Sequence, residues 1–198
     1  MPRKNVEFYE AMANNPELWS CRGHDLHTAA GVLRAKALDG MSKPDWSNLS
    51  PDDPGIADCL KYHGLLIQAA MLQGFAVECL LKCFWIAQGN TVAGDGEYKI
   101  EPIKRENHDL VKIAEAVGFA LSESEIGALA KLSGFARSFG RYPIARKWQE
   151  QRLVKNEFGI DCGPSWNNED HALAEGVLAR SKSVIHVALA AKSGLDPV

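Results

Sequence analysis

The sequence predicts an all-α protein. Three observations carry that expectation. Ile56 to Gln88 is apolar around most of a helix circumference, the flanking segments show helical spacing or helix caps, and no stretch alternates polar and apolar residues long enough to build a sheet. A chain of 198 residues that is 46% hydrophobic can bury its own core. We expect one domain over 1–198, with 1–50 as an N-terminal extension.

The elements follow in order. Residues 4–14 form a short helix. Asp25 to Leu38 reads as a second, with Leu26, Ala29, Ala30, Leu33 and Ala37 on one stripe and Gly40 as its stop. Pro44, Pro51 and Pro54 make 41–55 a loop. Ile56 to Gln88 is the central helix, roughly 50 Å long at ~1.5 Å per residue. Glu78 and Lys82 lie four apart on it, a favourable pair worth ~0.2–0.5 kcal/mol if exposed and a possible site marker if buried.

Gly89 to Asn107 is a connection, in which Tyr98-Lys99-Ile100 is too short to carry a sheet. A helix starts at Asn107 or His108, with Leu110, Ile113, Ala114 and Val117 as its stripe and Gly118 as its end. Ser122 and Glu125 form a capping box that opens the next helix, which runs to Ser138. Gly140 and Pro143 force a turn. A helix over 144–156 follows, then a loop through Gly159, Gly163 and Pro164. Asn167 or Asn168 caps a last long helix ending near Lys192.

Composition narrows the function classes. A net charge of −3 excludes a uniformly basic nucleic-acid binder. The N-terminus lacks the apolar run of a signal peptide. The 16 uncharged residues between Lys61 and Glu78 fall short of the ~20 that a membrane span needs, so we expect a cytoplasmic protein with no membrane helix. Cysteines stand at 21, 59, 79, 83 and 162. Cys79 and Cys83 share a helix face, but no second close cysteine pair accompanies them. They read as reduced core thiols, with no metal and no cofactor.

Charge is segregated. From Lys131 to Lys155, seven basic residues (Lys131, Arg137, Arg141, Arg146, Lys147, Arg152 and Lys155) face one acid, Glu150. That segment carries +6, and the rest of the chain −9. Such a stretch attracts phosphate groups or an acidic partner surface. Trp148, Arg152 and Lys155 fall on one face of the expected helix, where an indole beside two bases can stack a nucleobase. The bland alternative is a solvated helix face.

Two arginine–histidine pairs remain, Arg180/His186 and Arg22/His27. Histidine can move a hydroxyl proton while arginine neutralises charge growing on a phosphorane, so Arg180 and His186 are the catalytic candidates. On one helix they point about 120° apart, so they converge only across a groove or with a partner chain. His24, Asp25 and His27 read as capping and surface residues at a helix start. His108 beside Asp109 is a helix start with one unexplained imidazole, and Tyr142 inserts into the bundle or lines a cleft mouth.

The order of three pieces resembles the HEPN superfamily: Ala76-Val77-Glu78-Cys79-Leu80-Leu81-Lys82, then His108-Asp109-Leu110, then Arg141-Tyr142-Pro143. The resemblance covers roughly residues 65–190. It implies a bundle of four or more helices, often a homodimer, that binds RNA or nucleotide. Active members are metal-independent endoribonucleases of toxin–antitoxin and defence systems, and others partner nucleotidyltransferases. Their Arg-x4–6-His motif maps here onto Arg180 and His186, with Ser181 where a more polar residue usually follows. The candidate binding set joins Glu78, Lys82, His108, Arg141 and Tyr142 from these matched pieces to Arg137, Arg146, Trp148, Arg152 and Lys155 from the basic segment. Two other readings stand beside it. One is a non-catalytic interaction module for an acidic protein partner. The other is a small-molecule bundle lined by Phe84, Trp85 and Tyr142.

Overall fold

The computed structural model describes residues 3–42, 55–98, 108–139, 154–155, 161–162 and 166–193. Among them are six α-helices: α1 (Arg3–Ala13), α2 (Pro16–Met41), α3 (Gly55–Ala87), α4 (Leu110–Ala116), α5 (Glu123–Gly134) and α6 (Asn168–Ser193). Two antiparallel two-residue pairings complete the described residues, β1 (Ala93–Gly94) with β2 (Glu97–Tyr98) and β3 (Val154–Lys155) with β4 (Asp161–Cys162). The protein is an all-α helical bundle.

The 33-residue α3 is the central element, and α2, α4, α5 and α6 all pack on it. Leu80 and Leu81 of α3, Leu110 and Ile113 of α4, Leu129 and Leu132 of α5, and Val177 and Leu178 of α6 close one core. By length and composition alone, Ala57–Ala87 would suffice to cross a membrane. Over half of its most apolar window is buried against the other helices, which accounts for that composition as core.

α2 begins nine residues before the expected Asp25. The Asn15 side chain accepts a hydrogen bond from the Glu17 amide (2.9 Å), and Pro16 sits where its missing N–H costs nothing. α2 runs antiparallel along α3 for most of its length. Small residues set how closely they approach. A Cβ on Gly23 would lie 3.1 Å from Leu80, and one on Gly40 would lie 2.1 Å from the Tyr62 ring.

The connection after α3 turns through Asp95 and Gly96, both at positive φ (52° and 73°), the backbone that a two-residue hairpin turn requires. α5 ends at Gly134 and relaxes into a π-turn over Phe135–Phe139. The expected helix over 144–156 falls mainly outside the described residues. Its last part is corrected: Val154 and Lys155 are extended and pair with Cys162 and Asp161. Lys155 therefore cannot share a helix face with Trp148 and Arg152.

α5 and α6 run antiparallel and are joined by two ion pairs. Glu125 accepts a bidentate pair of hydrogen bonds from Arg180 (2.8 and 3.1 Å), and Asp170 accepts two from Lys131 (2.6 and 2.7 Å). Each carboxylate also caps its own helix. Glu125 accepts from the Ser122 amide (2.8 Å), and Asp170 from the Asn167 amide (3.2 Å).

Candidate functional site

Three residues singled out in the sequence converge. Glu78 and Lys82 lie one turn apart on α3 and are nearly buried. The Lys82 ammonium donates to Glu78 Oε1, and His108 Nδ1 donates to Oε2 at 2.7 Å. Lys82 also sits 5.1 Å from the centroid of the Trp19 ring and 5.5 Å from that of Tyr98, within cation–π range of both. The Glu78–Lys82 pair thus ties α3 to the start of α4 through the carboxylate and to α2 and the first hairpin through the ammonium.

The electrostatics follow from burial and pairing. Burial pushes the Glu78 carboxyl up, but His108 and Lys82 together outweigh it and hold it down to about 2. Burial pushes the Lys82 ammonium down, yet Glu78 leaves it raised, so the pair is ionised. Tyr98 is raised by burial, with the Lys82 charge opposing. Its buried hydroxyl makes no hydrogen bond of good geometry among the described residues.

His108 adopts φ +67°, a left-handed conformation uncommon outside glycine. The Glu78 bond and an edge-to-face contact with Phe75 (centroids 5.5 Å apart) hold it there. Asp109 caps α4, and the Ser133 hydroxyl accepts from the Leu110 amide at 2.9 Å. Arg137 reaches back toward Asp109 (3.7 Å) and stays half exposed beside this cluster. Next to Trp19 lies a shallow cleft of about 320 Å³, lined by Tyr9, Met12, Ala13, Leu18, Trp19 and Arg22.

The catalytic candidates are not brought together in this chain. Arg180 lies in a fork, held by Glu125 and by the Ala120 carbonyl (2.8 Å), with its guanidinium 4.9 Å from the centroid of the Phe119 ring. His186 is exposed further along α6. Arg141, Tyr142, Arg146, Trp148 and Arg152 lie outside the described residues. Phe84 meets Phe119 edge-to-face, and the Trp85 indole donates to the Thr91 carbonyl (3.2 Å). Cys79 and Cys83 are buried free thiols pushed up to about 11, chiefly by burial. No group of three or more metal-ligating side chains occurs among the described residues.

A second polar cluster escaped the sequence reading. His27 of α2, Gln73 of α3, and His171 and Glu175 of α6 meet where the three helices adjoin. Gln73 Nε2 donates to Glu175 Oε1 at 2.7 Å, and His171 Nδ1 lies 3.1 Å from Gln73 Oε1. His27 Nε2 lies 3.4 Å from Glu175 Oε2. Arg34, two turns beyond His27, bonds the Asn168 side chain across the same seam. Because α2 starts at Pro16, His27 is an inward-facing mid-helix residue and not a cap. The available signals were Gln73, a polar residue within an apolar run, and the four-residue spacing of His171 and Glu175.

No protein-family model matches the chain, and no curated protein or solved structure matches it.

Proposed function

We propose that the protein is a HEPN-like helical module of the cytoplasm that pairs as a homodimer and binds RNA. The observation that carries this reading is charge segregation, +6 over Lys131–Lys155 against −9 elsewhere. The convergence of Glu78, Lys82 and His108 supports it, because residues thirty positions apart that carry the resemblance share one cluster. Arg180 separates binding from cleavage. Its three hydrogen bonds occupy the guanidinium, so cleavage by Arg180 and His186 would require that fork to open.

The test is fluorescence anisotropy with a labelled single-stranded RNA across a salt series. Affinity should fall steeply with salt, the logarithmic slope easing by ~0.7 for each phosphate-contacting base removed, as in Arg152→Ala or Lys155→Ala. Salt-insensitive binding, or none, overturns the reading. A co-purifying acidic protein that the same two substitutions release would favour the interaction module instead. In a metal-free nuclease assay His186→Ala should behave as the wild type; loss of cleavage would return the chemistry to Arg180 and His186.

A further inference from the structure

Two faces of α2 are used inside the protein. Gly23, Ala30, Ala37 and Gly40 are buried on the side that packs along α3. His27 and Arg34 turn toward α6. A third face is exposed along its length: Arg22, Asp25, Ala29, Val32, Lys36 and Asp39. These positions recur at intervals of three and four, so they form one stripe about 100° wide and roughly 25 Å long. Val32 is 64% exposed although it sits in the middle of the helix. Among the described residues Arg22, Asp25 and Lys36 form no ion pair, so pairing along the helix does not account for their charges.

Along the chain the stripe reads cation, anion, apolar, apolar, cation, anion. Reversed, that order is its own complement. Take two copies of α2 packed antiparallel about a two-fold axis midway between Ala29 and Val32. Ala29 then faces Val32, Asp25 faces Lys36 and Arg22 faces Asp39, each contact occurring twice. A parallel pair in register would set every charge against its own kind. An antiparallel pair displaced by one heptad would set charged residues against Ala29 and Val32. Polar positions along a helix seam select orientation and register in this way. An interface between identical copies about a two-fold axis demands the same self-complementarity.

We propose that the exposed stripe of α2 is an interface for a second copy of this chain, the two α2 helices pairing antiparallel. This rests on the homodimer reading and gives that dimer a surface. At its N-terminal end the stripe runs into the cleft beside Trp19, where Leu18 and Arg22 of α2 meet Tyr9 and Met12 of α1. The C-terminal end of the second copy's α2 arrives over that cleft and widens the contact. The centre holds only Ala29 and Val32 from each copy, and the flanking charges are exposed. Such an interface belongs to the small class, below ~1,200 Å² in total, so association is weak and depends on concentration and salt.

The test is sedimentation equilibrium of the full chain under reducing conditions, from about 1 to about 100 μM, the range that suits a weak interface. The wild type should pass from monomer to dimer over that range. Asp25→Lys and Lys36→Asp should each weaken the dimer by roughly ten- to a hundredfold, because each turns two facing pairs into like charges. Mixed together, the two variant chains should dimerise as tightly as the wild type, since every facing pair between them is again of opposite sign. Val32→Asp should stay monomeric throughout, with its far-ultraviolet circular dichroism unchanged because the side chain it replaces is exposed. A wild type that remains monomeric overturns this proposal and the homodimer reading together. A dimer indifferent to all three substitutions overturns this proposal and leaves the homodimer reading standing. Single variants that weaken the dimer but do not recover on mixing overturn the antiparallel alignment.

Discussion

Replacing Lys82 by Met removes the cation from a carboxylate that is almost wholly buried. Removing one partner of a buried pair costs ~3–5 kcal/mol, because the remaining charge stays desolvated. Holding Glu78 at about 2 instead of the ordinary 4.5 corresponds to ~3 kcal/mol at ~1.4 kcal/mol per pH unit; His108 and Lys82 share that amount, so it bounds the Lys82 part from above. In a chain of this length ~1 kcal/mol moves the melting temperature by ~2–4 °C, so Lys82→Met should lower it by ~6–20 °C. The double variant Glu78→Leu/Lys82→Met leaves no orphan charge and should recover most of that loss. Because the Glu78 pKa is depressed in the folded state, its contribution is present above about 4.5 and lost as pH falls toward about 2. The assay is thermal unfolding by circular dichroism from pH 7 to pH 2.5. A single-variant loss below ~1 kcal/mol, or a double variant as unstable as the sum of the singles, refutes a desolvated pair.

Three further outcomes follow from the packing. Arg180→Met should destabilise by ~1–3 kcal/mol through the unpaired Glu125, while leaving the salt dependence of RNA binding unchanged; anisotropy and melting on one sample check both. Gly40→Ala should cost ~1–3 kcal/mol because the new methyl meets the Tyr62 ring, and a Tyr62→Ala background should relieve most of that cost in chemical denaturation. His171 has a lowered pKa in the folded state, so its share of stability is complete above about 6.5 and declines as pH falls below it. His171→Gln should flatten the melting profile between pH 6.5 and 5.

What the sequence made legible was local. The Ser122–Glu125 box was readable because all its parts lie within four residues, and the structure shows both of its hydrogen bonds. The Gly55–Ala87 helix was readable because its apolar surface runs all round. The start of α2 was missed although Asn15-Pro16-Glu17 is a cap signal, because the polar Ser20–Asp25 stretch breaks the apolar stripe used to find helices. The hairpin was marked by Asp95-Gly96, yet its strands are two residues each, below what alternation can register. His27, Gln73, His171 and Glu175 were illegible for a different reason. They come from three separate helices, Gln73 and His171 alone standing 98 residues apart, and only the packing of α2 and α6 on α3 brings them into register. Glu78, Lys82 and His108 were each noticed, but their union depends on His108 taking a left-handed backbone that no pattern announces.

The joint between α5 and α6 has a consequence for folding order. Each helix is nucleated by a carboxylate in its first turn, and that carboxylate is also the anchor for a cation on the neighbour. Glu125 and Lys131 lie ~9 Å apart along α5, while Asp170 and Arg180 span ~15 Å of α6. A slide of one turn would break both anchors, so the two pairs act as a vernier that admits a single alignment. Helix initiation and helix pairing thus draw on the same atoms. Fraying either first turn loosens the opposite helix, and amide exchange at Ser122–Ile126 and at Asn167–His171 should proceed in concert. Each helix is also held by α3, so the two first turns are expected to open together without the helices leaving the bundle.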